Sequence, residues 1–144
     1  MQLTFPIAPV IAHLAGLKDL KLVSHSADLT TALRTPPNAA PAAYVLGSSR
    51  AQPPQFTGED SFDQTAAAAV QVVLWVRNYA SQRAGIGARN DMDALINQVG
   101  ERVVGFHTTE EFTPLWFGSG TDEHYDGGWL IHQLTFYSEF SIRV

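Results

Sequence analysis

The sequence predicts one α+β domain over residues 1–144, an antiparallel β-sheet of about four to five strands packed against two main α-helices. Three stretches carry that prediction. "VQVVLWV" alternates, with Val70, Val72, Leu74 and Val76 on one face and Gln71, Val73, Trp75 and Arg77 on the other. "NDMDALINQVGERVVGF" places Met92, Leu95, Ile96, Val99 and Val103 on one helical stripe. "GGWLIHQLTFYSEFSIRV" closes the chain as one long β-prone run. A chain of 144 residues is large enough to bury a core of its own.

In chain order, the first helix is expected in "FPIAPVIAHLAGL". Ile7, Val10, Ile11 and Leu14 fall on one stripe, Pro6 and Pro9 come early enough for a first turn, and Gly16 is a stop. "LKLVSH" reads as a short strand, and Ser26 as the cap of a brief helix "ADLTTALR". Three prolines between Thr35 and Pro41 keep the chain irregular. "AAYVLGS" is then a strand of about five residues. The polar stretch at about 48–64, with two prolines and no helical period, reads as an extended arm or loop.

The segment from Thr65 combines four alanines with dense β-branched residues, and the alternation makes it a central strand covered at least in part on both faces. Asn90 is the expected cap of the long helix, with Asp91 and Asp93 near the positive end of its dipole. Gly100 inside that helix suggests a close packing contact. "FTPLWFGSG" and the closing run then form a hairpin across "TDEHYDGG". In the closing run, Leu130, Leu134, Phe136, Phe140, Ile142 and Val144 share the core parity. The other parity, from Trp129 to Arg143, is amphipathic.

Charge and composition exclude several classes. The formal charge of −5 argues against general binding to nucleic-acid phosphate. No run is long enough for a membrane span, and the first residues lack the pattern of a secretory signal. With no cysteine there is neither a disulfide framework nor a thiolate metal site. Arg77, Arg83 and Arg89 lie in an acid-free stretch, and acids gather at Asp122, Glu123 and Asp126 and at Glu110 and Glu111. These read either as solvated loops or as basic and acidic faces that meet across subunits.

Catalytic patterns are weak. "AGIGARN" sits where a phosphate-binding loop would, but Asn90 replaces the third glycine and Asp91 and Asp93 would repel a phosphate. His124 with Asp122, Glu123 and Asp126 matches neither an EF-hand loop nor a zinc-hydrolase helix motif and reads as a solvated turn, and His132 on a strand reads as a hydrogen-bonded core or rim residue. No nucleophile elbow is present, and neighbouring Glu110 and Glu111 on a strand would point to opposite faces. No cofactor or metal site is expected, and no enzyme.

The order of segments is informative as a whole. A helix, a short strand and a brief helix precede "PAAYVLG". A polar arm leads into "VQVVLWVRN", then come "MDALINQVGERVVGF", "PLWFGSG", an acidic turn and "LTFYSEFSI". This resembles the tail terminator proteins of tailed bacteriophages, of the myophage and Mu-like gp37 type. The resemblance implies a structural virion protein assembled in the bacterial host cytoplasm. It would form a six-fold ring that caps the tail tube, stops its polymerisation and offers a surface to head-completion or neck proteins. Six copies would carry a formal charge of about −30, six times −5, and DNA would pass the lumen without specific binding. Candidate contacts with a neighbouring subunit or the tube are Arg50, Gln55, Phe56, Arg77, Arg83, Arg89, Trp116, Asp122, Glu123 and Asp126.

Two alternatives stay open: another neck or head–tail joining protein of similar fold, and a small monomeric ligand-binding or metal-dependent enzyme domain using His124, Asp122 and Glu123.

Overall fold

A computed structural model describes residues 3–51, 55–58, 61–77, 86–125 and 128–143. Ser61–Arg77 forms the longest strand, β4. The elements before it are α1 (Ala8–Leu14), β1 (Leu22–His25), α2 (Leu29–Arg34), β2 (Ala42–Ala51) and β3 (Gln55–Gly58). After it come α3 (Ile86–Val103), β5 (Trp116–Tyr125) and β6 (Trp129–Arg143).

The strands run β1-β2-β4-β6-β5 across one sheet, with β3 paired to β4. β4 pairs antiparallel with β2 from Ala66 to Trp75 and with β6 from Asp63 to Arg77. The sheet is mixed where the sequence predicts an antiparallel one, because β1 lies parallel to β2. That parallel step needs a crossover, and α2 lies within it. The described residues hold three helices, the long α3, a short α1 and the brief α2 expected at "ADLTTALR", so two main helices is only a rough fit.

Side-chain period then sorts the residues into two layers. On one face, Val70, Val72, Leu74 and Val76 of β4 and Leu134, Phe136 and Phe140 of β6 pack against α1 and α3 through Val10, Leu14, Met92, Leu95 and Val99. On the other, Val73, Trp75 and Ile131 pack under Ala32 of α2. The indole N–H of Trp75 donates to the Ala32 carbonyl at 2.8 Å, so the fully buried tryptophan keeps its polar atom satisfied and ties α2 to the sheet. Two-sided burial of β4 bears out the central-strand prediction.

Several boundaries differ from expectation. Asp28 caps α2, its carboxylate accepting from the Thr31 N–H at 2.7 Å, while Ser26 is buried and donates to the Asp28 carbonyl. β2 spans 10 residues, and the described parts of the expected arm lie on β2, β3 and β4 because ladder partners are present there. α3 begins at Ile86, so Asn90 lies inside the helix and Asp91 and Asp93 lie beyond its first turn. The "TDEHY" stretch belongs to β5, which moves the reversal toward Gly128 (φ 81°).

Past α3, Gly105 adopts φ 83°, a left-handed value that glycine takes without strain. Its N–H donates to the Leu115 carbonyl at 2.7 Å and returns the chain toward β5. Reciprocal bonds join α1 to α3: Arg102 Nε donates to the His13 carbonyl, and His13 Nε2 bonds the Arg102 carbonyl. The imidazole also stacks on Phe106 at 4.0 Å between ring centroids.

Replacing Trp75 with phenylalanine should lower stability by about 1–3 kcal/mol, since the buried Ala32 carbonyl loses its indole donor. Urea unfolding measures this, and an unchanged midpoint would refute the role given to that bond.

Candidate functional site

The sheet ends at β5, and this flank combines three features. The first is a polar pin. Asp122 on β5 accepts from His132 Nδ1 of β6 at 2.7 Å and from Arg89 Nη1 of α3 at 2.9 Å. Arg89 also holds Asp93 one turn along the helix, at 2.8 Å. One carboxylate thus joins the edge strand, its neighbour and the helix above them. The hydrogen bond from His132, with that from Arg89 behind it, holds the Asp122 carboxyl below its ordinary range. Partial burial acts to lower the Arg89 pKa, but the two carboxylates more than offset it and raise the value. Gly120 makes room for this pin, since a Cβ there would lie 2.8 Å from His132 Nε2.

The second feature is an apolar groove of about 410 Å³ between α3 and the β5–β6 pair. Leu134 and Phe136 form its floor, and Ile96, Val104 and Phe117 its walls. Val104 and Phe117 are 48% and 53% exposed. Gly100 borders the groove, and a Cβ there would meet nothing within 4 Å. The close contact expected at Gly100 is therefore absent among the described residues, and the glycine faces the open groove.

The third feature lies on the opposite sheet face. Trp116 pairs with Tyr137, their ring centroids 6.2 Å apart, and both remain more than a third exposed. Next to them α2 no longer covers the sheet, and the row continues through Ala69 of β4 to Ser48 of β2.

The structure distributes the predicted residues unevenly. Arg89 and Asp122, read from sequence either as solvated or as parts of opposing charged patches, are partners within one subunit. Glu123, next along β5, pairs opposite Ile131 and so projects to the other face. Arg77 is exposed and places its guanidinium 4.7 Å from the centroid of the Trp129 ring. Trp116 is 42% exposed at the edge, and Arg50 is exposed near the end of β2. Gln55 and Phe56 lie on β3, paired with Asp63 and Phe62, their side chains outside the described residues. Arg83 and Asp126 lie outside them too, as does the His124 side chain.

The sequence reading missed Phe117, Tyr137 and Val104. Adjacent Trp116 and Phe117 at the start of an edge strand were the available signal, since neighbours on a strand take opposite faces. Among the described residues, no three His, Asp or Glu side chains converge as a metal site. No helix among them is long and apolar enough to cross a membrane.

Asp122→Asn should destabilise the chain by up to about 1 kcal/mol at pH 7, as expected for a half-exposed pair. The folded-state pKa is depressed, so this stabilisation is present above the unfolded value of roughly 3.9. It is lost as pH falls through the lower folded value. Wild type and variant should thus converge in acid, and thermal melts between neutral and strongly acidic pH check this. A difference independent of pH would refute the carboxylate's role.

No curated protein matches the chain. The family model described as phage tail terminator protein matches residues 1–144, the full length. An edge strand with an open groove beside it suits a protein that works by contact with other protein surfaces. The chain belongs to the phage tail terminator protein family and is a structural component of the phage tail.

Proposed function

We propose that this protein forms a six-fold ring on the last ring of the tail tube. There it ends tube polymerisation and presents the surface on which head-completion or neck proteins dock. The subtype in this reading is the myophage, Mu-like one, which rests on the order of the chain's segments. The protein acts without cofactor or catalytic step, is assembled in the host cytoplasm, and lets DNA pass its lumen without specific binding.

The observation that carries the reading is the unfinished β5 flank. A 10-residue edge strand beside an apolar groove with exposed Phe117 and Val104 invites association, and natural proteins cover such edges. A closed ring provides that cover with head-to-tail contacts between two different patches. In this reading Trp116, Glu123 and Arg50 meet a neighbouring subunit or the tube. Gln55, Phe56, Arg77, Arg83 and Asp126 remain proposed contacts of the same kind. Arg89 and Asp122 act indirectly, by fixing the edge strand in place.

Electron microscopy of lysates from a strain lacking the gene tests the reading. Overlong tubes detached from filled heads are the expected result. Normal-length tails that fail only to join heads would move the protein to a neck or joining role, and an undiminished phage yield would overturn both.

A further inference from the structure

Taking the ring reading as its basis, we propose that the ring closes by antiparallel pairing of the β5 edge of one copy with the β1 edge of the next. These two strands terminate the path of the sheet. β1 runs parallel to β2, and the steps β2–β4, β4–β6 and β6–β5 are each antiparallel, so β5 runs opposite to β1. A second copy that continues the sheet with its helices on the same side therefore presents β1 antiparallel to β5, the more stable ladder. The faces match as well. Val23 of β1 and Phe117 of β5 both lie on the face covered by α1 and α3, so the joined sheet keeps these apolar side chains of the two copies on one face.

Charge selects this partner over a β5-to-β5 contact. Glu101 borders the groove, Glu123 lies on β5, and Glu110 and Glu111 precede the bridge of Phe112 to Phe140 on the same margin. None of the four forms an ion pair among the described residues, where Arg89 is already held by Asp93 and Asp122. Two such flanks would repel each other. The chain's two lysines, Lys18 and Lys21, are both exposed and lead into β1 at the far edge. Two exposed acids lie near them, Asp19 and Asp91, and both are engaged on the α3 side of the chain. Asp19 accepts from Gln98 of α3 at 3.0 Å, and Asp19 and Asp91 border an open cleft of about 340 Å³ with Lys21.

Cysteine cross-linking tests the pairing, because the chain has no cysteine of its own. Ser24 of β1 and Ser119 and Thr121 of β5 project from the same sheet face. Ser24→Cys is combined in turn with Ser119→Cys and Thr121→Cys in the full chain under mild oxidation. At least one pair should give a covalent ladder that ends at six copies. Adding Lys18→Glu and Lys21→Glu should reduce the ladder by about tenfold or more, and adding Glu101→Lys and Glu123→Lys should restore it. Circular dichroism confirms that each variant folds. Efficient dimers from Ser119→Cys alone would show β5 against β5 and overturn the proposal. Rings seen by light scattering without any ladder would overturn it while sparing the ring reading. A ladder running past six would keep the pairing and refute the closed six-fold ring, and folded monomers without a ladder would refute both.

Discussion

The fold depends on β4, which is hydrogen-bonded along both sides and buried on both faces from Val72 to Val76. Such a strand cannot exist without cover above and below. On one side that cover is α1 and α3, tied together by the His13–Arg102 bonds. On the other it is α2, anchored by the Trp75 indole. α2 has only six residues and shields one end of its face, around Val73, Trp75 and Ile131. The row from Trp116 and Tyr137 through Ala69 to Ser48 is left open.

The sheet also has to stop, and it stops differently at its two ends. β1 is four residues long, so its edge is short. β5 is long and carries a register shift between Phe117 and Ser119, with Asp122 holding it to β6 and α3. That pin keeps an edge strand in a fixed shape while, among the described residues, no strand pairs with its outer side. Gly100 adds to the same picture. Glycine inside a helix costs up to about 1 kcal/mol relative to alanine. Among the described residues nothing lies within 4 Å of a Cβ built at Gly100, so packing among them does not explain the residue. The proposed joining of copies would cover both features.

Much of the fold was legible in the sequence where one physical signal dominates. The alternation from Val70 to Arg77 marked a strand buried on both faces, and the stripe from Met92 to Val103 marked the long helix. The parity of β6 held because Leu134, Phe136 and Phe140 all enter the core. What stayed hidden depends on long-range pairing. β1 is parallel to β2 only because α2 carries the chain back across the sheet, and no local pattern encodes that. Arg89 and Asp122 stand 33 residues apart, so charge clustering along the chain placed them on separate patches when they are partners. Ser26 and Asp28 are both good caps, and the geometry chose the aspartate. The resemblance to the family came from the order of segments, which no single motif carries, and the family model matching residues 1–144 shows the membership.

Hydrogen exchange at the β5 amides, compared between the free chain and intact tails, tests the central claim that this edge is completed by another copy. Outward-facing amides between Trp116 and Tyr125 should exchange quickly in the free chain and become protected together with β1 on assembly. Unchanged exchange at both edges in assembled tails would contradict the account.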